Sequence, residues 1–167
     1  GWLWYTTGIE PKSRTELPAS KLFPVKGNMV MRSGWDDEGS VLVFRCGPNS
    51  NHYHVDQGTF YLMTNGEELL SDAGHGSSYY ANLYYPCYYT QPIGHNTMLV
   101  DFNAESQAPA DYENGIAALR DYPRITSGFA GTAVDDVSGD LACVYKGTLA
   151  SYHRTILFVK PDIILLR

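Results

Sequence analysis

The sequence predicts an all-β fold, an antiparallel β-sandwich. Helical periodicity is nearly absent. Short runs rich in Val, Thr, Tyr, Ile and Phe alternate with turn residues, as in sandwiches and barrels. Two pairs of runs are joined by short turn segments, Asn65-Gly66 and Lys160-Pro161-Asp162, which read as hairpins.

Residues 1–17 read as a connector of poor periodicity, with Pro11 inside it and Pro18 just past its end. The domain is expected to span 18–167. NMVMRSGW (28–35) and SVLVFRCG (40–47) are strands joined by the polar turn DDEG. In NHYHVDQG (51–58), His52, His54 and Asp56 fall at alternate positions, so a strand would set all three on one face. GTFYLMT (58–64) and EELLSDAG (67–74) flank Asn65-Gly66. NTMLVDF (96–102) is read as a further strand with His95 at its lip. RITSGFA (124–130) and GTAVDDVSG (131–139) give weaker strand signals, and SYHRTILFV (151–159) and IILLR (163–167) stronger ones. Arg167 follows a strand with no turn or cap, so the chain is expected to be a fragment of something longer, with its C-terminus truncated or the sheet simply ending there.

Composition narrows the function. The 167 residues carry 12 Lys+Arg against 18 Asp+Glu, a net charge of −6. Nucleic-acid binding needs clustered cations, so no nucleic-acid partner is expected. No apolar run reaches the roughly 20 residues of a membrane helix, so no span is expected. Cys46, Cys87 and Cys143 show no CxxC spacing and leave open either one disulfide with a free thiol or three buried thiols. The 13 tyrosines are dense in YYANLYYPCYY (79–89). Such rings stack on sugars when exposed, and they also form strands well.

His-x-His on a strand spaces two imidazoles about 6.5–7 Å apart, near enough to converge on one ion. The Asn65-Gly66 hairpin returns Asp72 toward residues 54–58, and His95 opens the next segment. His54, Asp72 and His95 would then form a two-His, one-carboxylate site suited to zinc. Asp56 could ligate, or orient an imidazole as an acceptor. His75 and His153 have no evident partner. Arg32 and Arg154 could each pair with an acidic sugar, although a structural salt bridge is the plainer role.

These residues resemble a known family. HYHVDQGTFYLMTNGEELLSDAG, then a Tyr-bearing loop, then GHNTMLVD, is similar to the heparinase II/III-like polysaccharide lyases. The lead-in FPVKGNMVMRSGW and the later YHRTILFVKPDIILLR add to the likeness, which covers roughly residues 18–167. The resemblance implies a supersandwich-like β-domain from a longer protein with an N-terminal helical toroid. It implies β-elimination of uronic-acid polysaccharides, of glycosaminoglycan or alginate type, in a secreted or periplasmic enzyme. It implies Zn(2+) held by His54, Asp72 and His95, with His52 as the active-site histidine. Tyr79 and Tyr80 follow the D-x-G stretch at the family-like distance and are the first candidates for the catalytic tyrosine. The toroid is missing, so the expected partners are that domain and an acidic polysaccharide, and the chain alone is expected to be incomplete as an enzyme. The rival reading is a non-catalytic, metal-stabilised carbohydrate-binding sandwich, with a metal-stabilised interaction domain behind it.

Overall fold

The computed structural model describes residues 8–48, 54–74, 76, 83–108, 122–145 and 147–167. They form two antiparallel meanders. The first sheet runs in the order β1 (Lys21–Phe23), β2 (Asn28–Arg32), β3 (Val41–Arg45), β4 (Phe60–Thr64) and β5 (Glu67–Leu70). The second runs β6 (Arg124–Ala130), β7 (Val134–Asp140), β8 (His153–Val159) and β9 (Ile163–Leu166). Each strand pairs with its sequence neighbour, so every connection within a sheet is local.

Strand alternation builds the core. In β2 and β3, Met29, Met31, Leu42 and Phe44 point inward and are fully buried. Val137 of β7 and Ile156 and Phe158 of β8 join them from the second sheet. One apolar cluster spanning both sheets makes this a sandwich. A buried ion pair braces it: Lys160 lies 3.1 Å from Asp135, whose carboxylate also accepts from Ser20. This joins the segment before β1 to the second sheet. Nearer the N-terminus, Leu17 accepts from the Trp35 indole at 2.9 Å.

The predicted hairpins form. Asn65 and Gly66 are both left-handed, at φ 51° and 73°, the two-residue turn that matches strand twist. Residues 160–162 join β8 to β9 through a cis Lys160–Pro161 bond.

Two predicted strands do not form. Within the described part of 51–58, residues 54–58 are a bend and turn, not a strand. Their backbone is committed elsewhere: Val55 donates to Thr90, and Thr59 to Asp56. The shared-face argument therefore fails for His54 and Asp56. NTMLVDF is also irregular. Thr97 and Ser106 side chains take local backbone groups, and Asp101 and Phe102 are both left-handed, at φ 52° and 55°. Such competition removes the groups a ladder needs.

None of the three cysteines is in a disulfide. Cys46 is buried and Cys87 exposed, so neither cysteine arrangement read from the sequence holds. No helix among the described residues is long and apolar enough to cross a membrane.

Candidate functional site

Three loops meet beside the first sheet. The first leaves β3 and returns to β4, carrying His54, which is nearly buried. The second follows β5, where the Asp72 Oδ1 accepts from the Gly74 amide at 2.9 Å. The third is the one-turn helix Pro92–Gly94, with His95 as the residue that ends it. A β-carbon on Gly94 would sit 2.4 Å from the Tyr88 carbonyl oxygen, so only glycine allows this approach. The Ala73 amide donates to the Gly94 carbonyl at 3.1 Å, joining the second loop to the third.

His54, Asp72 and His95 come together as the spacing suggests, although not from a strand. His95 Nδ1 lies 2.6 Å from Asp72 Oδ2. The His54 and His95 rings are 5.2 Å apart between centroids and tilted by 38°. The Tyr85 ring stands edge-on to His54 at 6.3 Å. The His95 side chain is only 1 % exposed, and its Nε2 is buried without a hydrogen-bond partner. Burial opposes ionisation of Asp72. The His95 hydrogen bond, the Gly74 amide and the nearby charge of His95 and His54 outweigh it and hold the carboxyl below its ordinary value.

This chemistry fits a divalent ion of zinc type. A carboxylate on Nδ1 favours a proton there, and the tautomer that keeps only that proton presents Nε2 as a lone pair able to ligate. An orphaned buried nitrogen costs free energy unless something occupies it. Two imidazoles and a carboxylate also suit zinc. The Asp72 Oδ2 is engaged by His95, and no set of three His, Cys, Asp or Glu side chains among the described residues is arranged as a ready metal cage.

Other candidates fall elsewhere. Asp56 pairs with Arg45 Nε at 3.0 Å, so its carboxylate braces the base of the loop. Arg32 lies over Trp35 at 4.9 Å. His153 is exposed at the start of β8. His52, Tyr79, Tyr80 and His75 lie outside the described residues.

Sequence reasoning missed the residues that hold the loops. Asn96 donates from Nδ2 to the carbonyls of Phe60 at 2.8 Å and Ser71 at 3.1 Å, pinning β4 to the segment before Asp72. Gln57, almost fully buried, exchanges bonds with Gln107, which also meets Tyr145 Oη. Asn beside a candidate ligand is a findable signal. Two glutamines 50 residues apart are not.

The heparinase II/III-like C-terminal domain profile matches residues 15–164. The chain belongs to this family. No curated protein matches it significantly. Among solved structures, the heparan sulfate lyase HepC from Pedobacter heparinus is similar over 88 % of this chain, with 23 % identity and a TM-score of 0.67. A structure described as heparinase III is similar over 89 %, with 19 % identity and a TM-score of 0.69. Identities this low establish a shared fold. The heparinase II/III-like domain described here spans about a fifth of those chains, 21 % and 22 % respectively.

Proposed function

We propose that this domain is the sandwich half of a polysaccharide lyase that cleaves uronic-acid polysaccharide by β-elimination. The observation that carries the reading is the His54–Asp72–His95 cluster, with the orphaned His95 Nε2, in a heparinase II/III-like domain.

Elimination takes the proton α to the sugar carboxylate and expels the glycosidic oxygen at C4. The site must neutralise that carboxylate, accept one proton and deliver another. Imidazole and phenol suit the proton work, and positioned acid–base groups contribute roughly 10²–10⁴-fold. His52, two residues from His54, is the proposed carboxylate neighbour or proton acceptor. Tyr79 or Tyr80 is the proposed second proton carrier; in sequence they fall between Asp72 and the helical turn Tyr85–Tyr89. His54, Asp72 and His95 would hold Zn(2+). The ion, when bound, supplies a cross-link between the three loops. His95 keeps its orientation through Asp72, with the His54 ring tilted beside it.

The proposed partners are the polyanionic substrate and a helical toroid domain that completes the cleft, in a secreted or periplasmic protein. A longer protein carrying both domains is incubated with heparan sulfate, chondroitin, hyaluronan and alginate. The expected result is the ultraviolet absorbance of an unsaturated uronate with at least one polymer. Binding without that product would favour the carbohydrate-binding alternative.

A further inference from the structure

We infer that Arg154 is a positioning residue for the histidine pair, clamping its two loops from the opposite sheet. Arg154 belongs to β8 and is half-buried. Its Nη1 donates to the carbonyl of Gly58, which closes the His54 loop, and to the carbonyl of Asn96, next to His95, at 2.8 Å. One guanidinium nitrogen therefore joins segments 38 residues apart in sequence, counted from Gly58 to Asn96. The head also lies near two rings: its central carbon is 5.3 Å from the Phe60 centroid and 5.7 Å from that of Tyr152. Among the described residues no carboxylate pairs with it.

The physical consequence follows from what the two carbonyls belong to. The separation of His54 and His95 depends on how the 54–58 loop sits against residues 95–96. Asn96 N donates to Thr59 Oγ1 at 3.2 Å, a neutral bond between the same segments. Arg154 adds two charge-assisted bonds, which are stronger, and anchors both to the second sheet. The guanidinium engages backbone oxygens and ring faces. Groups that hold ligands in place characteristically alter metal affinity without touching the ion.

The inference rests on the proposed metal site, and the test separates the two. Zinc affinity is measured by chelator competition on the full chain for wild type, Arg154→Met, Arg154→Lys and a control, Met31→Ala. Met31 is fully buried in β2, with Leu42 opposite, toward the other end of the sheet. Arg154→Met is expected to weaken zinc binding by about tenfold or more, with Arg154→Lys between it and wild type, while Met31→Ala stays within about threefold despite a lower melting temperature. Wild-type affinity in Arg154→Met, or an equal loss in Met31→Ala, overturns the inference. Amide hydrogen exchange of the metal-free chains is the second readout. Exchange should speed up at residues 58–59 and 95–97 in both Arg154 variants and stay unchanged in β2 and β3. Unchanged protection at those loops also overturns it. A wild-type chain that binds no zinc, yet loses loop protection in the Arg154 variants, would reject the metal reading and leave the clamp standing. Should Arg154→Met not fold, Arg154→Lys carries both measurements.

Discussion

Asp72 holds His95 by Nδ1 at 2.6 Å and leaves the opposite ring nitrogen, Nε2, buried without a partner. A side chain that is 1 % exposed does not leave a polar atom idle at no cost. The His54 ring lies beside that of His95, 5.2 Å away between centroids.

The chain, purified without chelator, should carry about one zinc, the stoichiometry of a site with three protein ligands. His95→Ala should lose it. Asp72→Ala should lose most of it, because His95 is then free to turn. Elemental analysis decides this, and a metal-free wild-type protein that stays metal-free on titration with zinc removes the assignment.

His52 and His54 should behave differently. His54→Ala should shed zinc and lower the melting temperature, since an ion bound to the native state stabilises it. His52→Ala, in a protein that also carries the helical domain, should keep zinc and fold while losing most unsaturated-product formation. Loss of metal in His52→Ala, or an unchanged rate, would show that His52 has another role.

The chain alone should give little or no elimination. Base, acid and charge neutralisation must act together on one substrate geometry, and the proposed reading puts much of that surface in a helical domain outside this chain. Turnover close to that of the longer protein would place the whole site within the sandwich.

Alkaline pH should weaken the fold through Tyr145. Burial pushes this phenol up to about 12, against a partial opposing effect of its Gln107 bond. Between about pH 10, where an unfolded tyrosine ionises, and about 12, the unfolded state sheds its proton first, so stability falls as pH rises. Burial raises Tyr152 as well, which adds to the same fall. Tyr145→Phe, which removes the bond to the Met98 carbonyl, should cost about 1–3 kcal/mol at neutral pH. Its alkaline loss should be shallower than that of wild type. Parallel stability curves from pH 8 to 12 would contradict the assignment.

Thiol labelling should be selective. Burial pushes the Cys46 thiol far above its ordinary range, so it should stay unmodified in the native state. Exposed Cys87 should react readily. Mass spectrometry after brief alkylation at pH 8 resolves the two, and modification of native Cys46 at the rate of Cys87 would refute this.

The sequence by itself determined the strands and hairpins. Met29, Met31, Leu42 and Phe44 alternate with half-buried neighbours, and Asn65-Gly66 can adopt the two left-handed conformations that a tight hairpin requires. Those signals are local, so they survive without knowledge of the rest of the chain. The order of H-x-H, D-x-G and H-N-T also carried the family, and with it the grouping of His54, Asp72 and His95. Only tertiary structure decided how that grouping is made. His54 and Asp56 sit in a loop because Thr90 and Gln107, both distant in sequence, take up its backbone amides, while Arg45 takes the Asp56 carboxylate. NTMLVDF has the composition of a strand, yet the Thr97 hydroxyl donates to the Pro92 carbonyl and the Ser106 hydroxyl accepts from the Val100 amide. Arg154 looked like a candidate for a salt bridge or a sugar acid because its type was visible and its neighbours were not. Its two carbonyl partners are set by the packing of one sheet on the other, a relationship that no local pattern encodes.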